Sequence, residues 1–224
     1  MDDAKLHNNR RDFLGLAATV AAAGLGAMVP VADAVAASNN PSTDFTRWLD
    51  SINGTHKQLY DMPEVNGGMG LIWSYAFFVT GAQAYGLPES DLGVVVVLRH
   101  NALPLAFNDS VWAKYKLGEV FKIDDPETKA RAVRNPFYLD PSALPVPIPD
   151  AVLQKLIARG VKVTACGLAI HVYSGMVAQK MGLKHDDVKK EWVEAVFPGI
   201  QIVPSGVVAC NGAVSRGCSY VFAG

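Results

Sequence analysis

The chain has 224 residues, 20 basic and 21 acidic, a net charge of -1, a hydrophobic fraction of 50% and a mean hydropathy of +0.17. That length suits one domain with an attachment and is enough to bury a proper core, which excludes a disordered tail, a collagen-like chain and a disulfide-dense miniprotein. The balanced charge gives no electrostatic case for nucleic acid or an anionic membrane surface, while only 18% charged residues leaves an apolar excess to be located.

Part of that excess lies at the N-terminus. A polar start ends in Arg10-Arg11, an Ala/Gly/Val stretch runs from Phe13 to Val31, and small residues continue to Ala37. These are the parts of an export signal. Asn9-Arg10-Arg11-Asp12-Phe13-Leu14 resembles the twin-arginine (Tat) consensus, a receptor-read address for folded cargo. The resemblance implies a signal peptide over 1–37, cleavage near Ala36-Ala37, the Tat translocase as a partner during export, and a periplasmic or otherwise exported destination. The alternative is an uncleaved membrane anchor, against which Gly24, Gly26, Pro30 and Asp33 count. Residues 38–224 hold 17 basic and 17 acidic residues, so the mature chain is neutral and no stable membrane insertion of it is expected.

Residues 38–55 read as a spacer with a short helical piece at 45–52, followed by a candidate strand at 57–61. Residues 67–85 form a continuous apolar run whose glycines (67, 68, 70, 81) and polar Ser74, Thr80 and Gln83 predict a helix buried on nearly all sides. Four consecutive valines at 94–97 mark a strand covered on both faces. A helix is predicted over 109–120, with Asp109 as its cap, then a long irregular insertion at 122–149 carrying six prolines. Helices at 150–159, 167–181, 186–196 and 205–216 alternate with strands at 161–166, 200–203 and 218–222. This order predicts a single α/β domain over 56–224, a five-stranded, mostly parallel sheet with helices on both faces.

The segment Val161-Lys162-Val163-Thr164-Ala165-Cys166-Gly167 places a cysteine at the carboxyl end of a strand, directly before a helix. Ligands of open α/β sheets bind at that edge, and a helix N-terminus favours a thiolate. A plainer reading makes Cys166 a small apolar residue packed beneath the helix. His100 and Asn101 follow the valine strand at the same edge, and His171 lies one turn into the helix after Gly167. With Asp109 or Asn108 they form a candidate polar pocket in which His100 is a general base for Cys166. The plainer reading of both histidines is a hydrogen-bonded loop or helix anchor. His56 and His185 read as surface residues.

The strand–helix order around "GVKVTACG" and Pro204-Ser205-Gly206-Val207 resembles the DsrE/DsrF-like (YchN-like) proteins over residues 56–223. The resemblance implies a DsrE-like fold, a homo-oligomer, and a cysteine at the position of Cys166 that carries a persulfide and takes a small sulfur-containing ligand. The export signal and the proline-rich insertion depart from that family. Two functions follow: a thiol- or sulfur-handling protein acting through Cys166, or a non-catalytic oligomeric protein that binds a ligand or partner at the same edge. A bridge between Cys210 and Cys218 is disfavoured, since one lies mid-helix and the other opens the next strand; two buried apolar thiols are expected instead. No Cys/His spacing supports a metal, and the glycines lack the order of a phosphate loop, so no cofactor is expected.

Overall fold

The computed structural model describes residues 41–224; the signal peptide expected over 1–37 lies outside the described residues. The segment Leu92–Leu98 (β2) shows how the fold arises from its sequence. Its β-branched run favours extended backbone, and all seven residues are buried, so both faces of the strand are covered. It lies at the centre of a five-stranded sheet flanked by His56–Met62 (β1) and Lys162–Cys166 (β3), with Ile200–Val203 (β4) and Cys218–Phe222 (β5) at the edges. Every pairing is parallel, in the order β4-β3-β2-β1-β5.

Alternation along the strands divides the interior into two layers. Tyr60, Met62, Val94, Val96, Leu98, Val163 and Ala165 face the larger core. Over this core pack Met69–Tyr85 (α2), Asp109–Tyr115 (α3), Leu117–Val120 (α4), Leu153–Ala158 (α5), Gly167–Met181 (α6) and His185–Glu194 (α7). Leu59, Val95, Val97 and Cys218 face a smaller core closed by Pro41–Asp50 (α1) and Gly206–Ser215 (α8).

Several expectations are corrected by this packing. The 38–55 stretch is more than a spacer: α1 lays Trp48 into the smaller core, with Phe45 and Leu49 against it. Phe45 stacks on Trp48 with centroids 5.7 Å apart, and Asp50 pairs with Arg216 at 2.7 Å. Helix α2 turns Leu71, Ile72 and Phe78 inward but leaves Trp73, Tyr75 and Phe77 half-buried and Val79 exposed, so its apolar run is covered on one side. The glycines ahead of it serve geometry: Gly68 has φ +81, and a Cβ there would lie 2.7 Å from Leu144 Cδ2.

The helix expected over 109–120 is broken. Lys116 adopts a left-handed conformation (φ 52, ψ 49) and separates α3 from α4, and the cap of α3 is Asn108, which accepts from Ser110 N–H. The break lets Gly118 meet the backbone of Ala132, so the insertion docks where a continuous helix would have passed. Asn135 pins that insertion: its Nδ2 donates to the carbonyls of Leu105 and Phe107, both at 2.9 Å. Among the described residues, no helix is long and apolar enough to cross a membrane.

Candidate functional site at the carboxyl edge of the sheet

The chain leaves β3 into α6, over the larger core, and leaves β4 into α8, over the smaller one. Adjacent strands whose connections depart to opposite faces define the switch point at which open α/β sheets bind ligands. Cys166 ends β3 at that point, in register with Val203 of β4. The start of α6 is tied to the end of β4, with Leu168 N–H donating to Pro204 O at 3.1 Å. Gly167 makes this approach feasible, since a Cβ there would lie 2.9 Å from Val203 O. Cys166 is the N-cap of α6, its Sγ accepts from Ala169 N–H at 3.3 Å, and the residue is only 6% exposed.

Arg99 follows β2 directly at the same carboxyl edge. The β2–β3 ladder runs Val97 to Thr164 and ends at Leu98 to Ala165, and Arg99 continues in extended backbone beyond it. The Arg99 side chain lies against Gly206 on the face covered by α8, whereas Cys166 packs into the larger core at the start of α6. The guanidinium reaches across to Asp61 at the end of β1 in a bidentate pair, Nε to Oδ1 at 2.7 Å and Nη2 to Oδ2 at 2.9 Å. Tyr220 of β5 donates its hydroxyl to Asp61 Oδ2 at 2.7 Å, and the Cys210 thiol of α8 is close enough to feel the charge of the same carboxylate. Asp61 is 3% exposed. Burial pushes its carboxyl pKa up, but the bonds from Arg99 and Tyr220 and the Arg99 charge outweigh that, and the value falls below the ordinary one. Its charge acts in turn on its neighbours. Burial, then Asp61, pushes the Cys210 thiol up to about 12. The hydrogen bond to Asp61, then burial, pushes Tyr220 up to about 12.

A second polar group borders the first. Asn101 Nδ2 donates to both carboxylate oxygens of Glu64 at 2.9 Å, and Tyr173 of α6 donates to Asn101 Oδ1 at 3.4 Å. Burial, then the nearby Glu64 and Cys166, raises the Tyr173 pKa. Cys166, Gly167 and Asn101 are therefore gathered at one edge, as the sequence predicts. His100 is at that edge too, exposed and with φ +48, turning the chain out of β2 after Arg99.

Other residues are engaged elsewhere. Asp109 accepts from Asn135 N–H at 2.8 Å and so holds the insertion. His171 faces α7, its ring centroid 4.7 Å from that of His185. His185 is not a surface residue, since its Nε2 lies 3.0 Å from His171 O and 3.1 Å from Ser174 Oγ. All three cysteines are free, and Cys210 is half-buried within reach of the Asp61 charge rather than a passive apolar thiol. Among the described residues no group of three or more His, Cys, Asp or Glu is arranged to hold a metal ion.

Sequence reasoning missed Asp61, Arg99, Cys210 and Tyr220. A signal was present: alternation puts Asp61 on the same face as the apolar Leu59, and Arg99 on the same face as Val95 and Val97. A charge at a buried strand position requires a partner, and these two supply one another.

These features define an α/β protein with an all-parallel sheet whose carboxyl edge carries both an Arg99–Asp61 ion pair and a cysteine that caps a helix. Compared with models of known families, with curated proteins and with solved structures, the chain matches none of them.

Proposed function

We propose that the chain is an exported, DsrE-like, homo-oligomeric protein that handles sulfur through Cys166, with His100, Asn101 and Gly167 as further candidate site residues. One observation carries this reading. Cys166 ends a strand at the switch point of the sheet, and its sulfur accepts the Ala169 N–H, a contact a thiolate also accepts. The sulfur of Cys166 attacks the outer sulfur of a small persulfide, R–S–SH. The S–S bond between that outer sulfur and the inner sulfur of R–S breaks, the departing thiolate RS⁻ takes up the proton that Cys166 gives up, and Cys166 is left as a persulfide. Atoms and electrons balance without an external oxidant.

Intact mass after exposure to glutathione persulfide tests it. The wild type gains one sulfur, about 32 Da, and Cys166→Ser does not, whereas Cys210→Ser still does. Addition that persists in Cys166→Ser overturns the assignment. The burial of Cys166 favours a second reading, a non-catalytic binding protein using the same edge. That reading requires no sulfur uptake by the wild type and no labelling of Cys166 by iodoacetamide at neutral pH.

A further inference from the structure

We infer that β5 is a pairing edge for a second copy of this chain: two protomers join their β5 strands antiparallel about a two-fold axis at Tyr220, and their sheets become continuous. The inference rests on the homo-oligomer of the proposed function, supplies its interface, and is independent of the chemistry at Cys166.

The backbone sets the register. Cys218–Phe222 pairs with β1 on one side, which leaves its other side as the edge of the sheet. Ala223 N–H donates to Asp61 O at 2.8 Å, so by alternation the N–H and C=O of Cys218, Tyr220 and Phe222 point away from β1. Such a row is a template for further pairing, and soluble proteins blunt it with Lys, Pro or a bulge. The β5 segment Cys-Ser-Tyr-Val-Phe has no charge and no proline, and its ladder with β1 runs unbroken. An antiparallel pair centred on Tyr220 is self-complementary. Tyr220 exchanges both backbone bonds with its own counterpart, and Cys218 does so with the partner's Phe222.

The side chains agree with the backbone. Tyr220 and Phe222 share the α8 side of the sheet with Cys218, yet they are 49% and 57% exposed. All-parallel sheets are ordinarily covered on both faces, and this end of the face is open. Helix α8 packs beside β5. Its Gly212 meets Leu49 and Phe45 of α1, and Ala209 and Ala213 are buried in the smaller core. Helical geometry then turns Val207 and Val214, both exposed, to the side away from α1, towards β5. These four side chains present roughly 400 Å² of apolar surface, within the range of functional patches. That is half of the roughly 800 Å² per partner that a stable dimer buries, and the paired edge with its flanks supplies the rest. Charge points to the same occupant: neither α8 nor β5 carries a charged residue, so the face matches itself and offers a charged partner nothing.

The test uses the whole protein. By sedimentation, the wild type at micromolar concentration is expected at twice the chain mass of 23.9 kDa. Phe222→Lys is expected to raise the dissociation constant at least roughly tenfold, while Val208→Lys, on the opposite side of α8, leaves it unchanged. The register has its own readout. It sets Ser219 opposite the partner's Val221 as a non-hydrogen-bonded pair with Cα atoms about 4.5 Å apart, within disulfide reach. A mixture of Ser219→Cys and Val221→Cys chains is therefore expected to give linked dimers under mild oxidation, and either variant alone is not. An unchanged dimer in Phe222→Lys with no link in the mixture overturns this inference and leaves the homo-oligomer standing. A monomeric wild type overturns both, and the reading of Cys166 is still decided by sulfur uptake. A monomer whose Tyr220 and Phe222 amides exchange slowly would show the edge covered from within one chain, which also overturns the inference.

Discussion

Arg99 and Asp61 face each other through two parallel hydrogen bonds across 38 residues of sequence, joining the ends of neighbouring strands beneath α8. Removing one partner from such a buried pair leaves the other charge without compensation, at a cost of about 3 kcal/mol. Asp61→Ala is therefore expected to lower the denaturant midpoint substantially. Asp61→Asn/Arg99→Gln, which removes both charges and keeps polar atoms in place, is expected to lower it less. Equal midpoints for the two variants would mean that the pair is not the source of the loss.

The same pair fixes the sign of the acid response. The Asp61 pKa is lowered in the folded protein from an ordinary value of 3.8. Its contribution is fully present above that ordinary value and drains away as pH falls through the lower folded-state value. The stability gap between wild type and Asp61→Asn is expected to be flat above about pH 5 and to close on further acidification. Urea midpoints measured as a function of pH give the gap directly. A gap that widened towards low pH would contradict a carboxylate held ionised by Arg99.

Much of this architecture was legible because its strands are short, apolar and separated by clear helix signals. The extents of β4, β5 and α6 follow directly from the sequence, and so does the place of Cys166. Chain-distant pairings were not legible. Asp61, Arg99 and Tyr220 come from three strands, and Cys210 from a helix, so no local spacing joins them. Helix α1 was undervalued for a similar reason. Its Ser/Asn/Pro-rich surroundings suggest a linker, and only the partner surface on α8 explains burying Trp48. Where α3 breaks at Lys116, local propensity gave way to the docking of Ala132 on Gly118.

The two cysteines of the site differ in chemistry. Burial and the neighbouring Asp61 charge keep the Cys210 thiol protonated up to about 12, so native Cys210 is expected to resist iodoacetamide at pH 8. Asp61→Asn removes the neighbouring negative charge that disfavours the thiolate, and labelling of Cys210 at pH 8 is expected to rise severalfold. Residue-resolved mass spectrometry separates this change from labelling at Cys166 and Cys218. Rapid labelling of Cys210 in the native wild type would contradict a thiol kept protonated by burial and the neighbouring Asp61 charge.

Gly167 links the strength of the fold to the placement of the thiol. A Cβ at this position would lie 2.9 Å from Val203 O and 3.5 Å from Pro204 O. Both contacts are to backbone, which cannot rotate away as a side chain would. Accommodating the methyl group requires the first turn of α6 to move off the end of β4, straining the Leu168 to Pro204 hydrogen bond. Gly167→Ala is expected to cost about 1–3 kcal/mol, as overpacking does elsewhere. Because Cys166 is the cap of that turn, the same shift disturbs the bond from Ala169 N–H to its sulfur. Under conditions where the variant stays folded, its rate of Cys166 labelling is therefore expected to differ from wild type, while that of Cys218, on the far edge of the sheet, stays the same. Denaturant melts combined with residue-resolved alkylation measure both effects on one sample. A loss of stability with unaltered Cys166 reactivity would show that the tight approach of α6 to β4 does not govern the sulfur's surroundings.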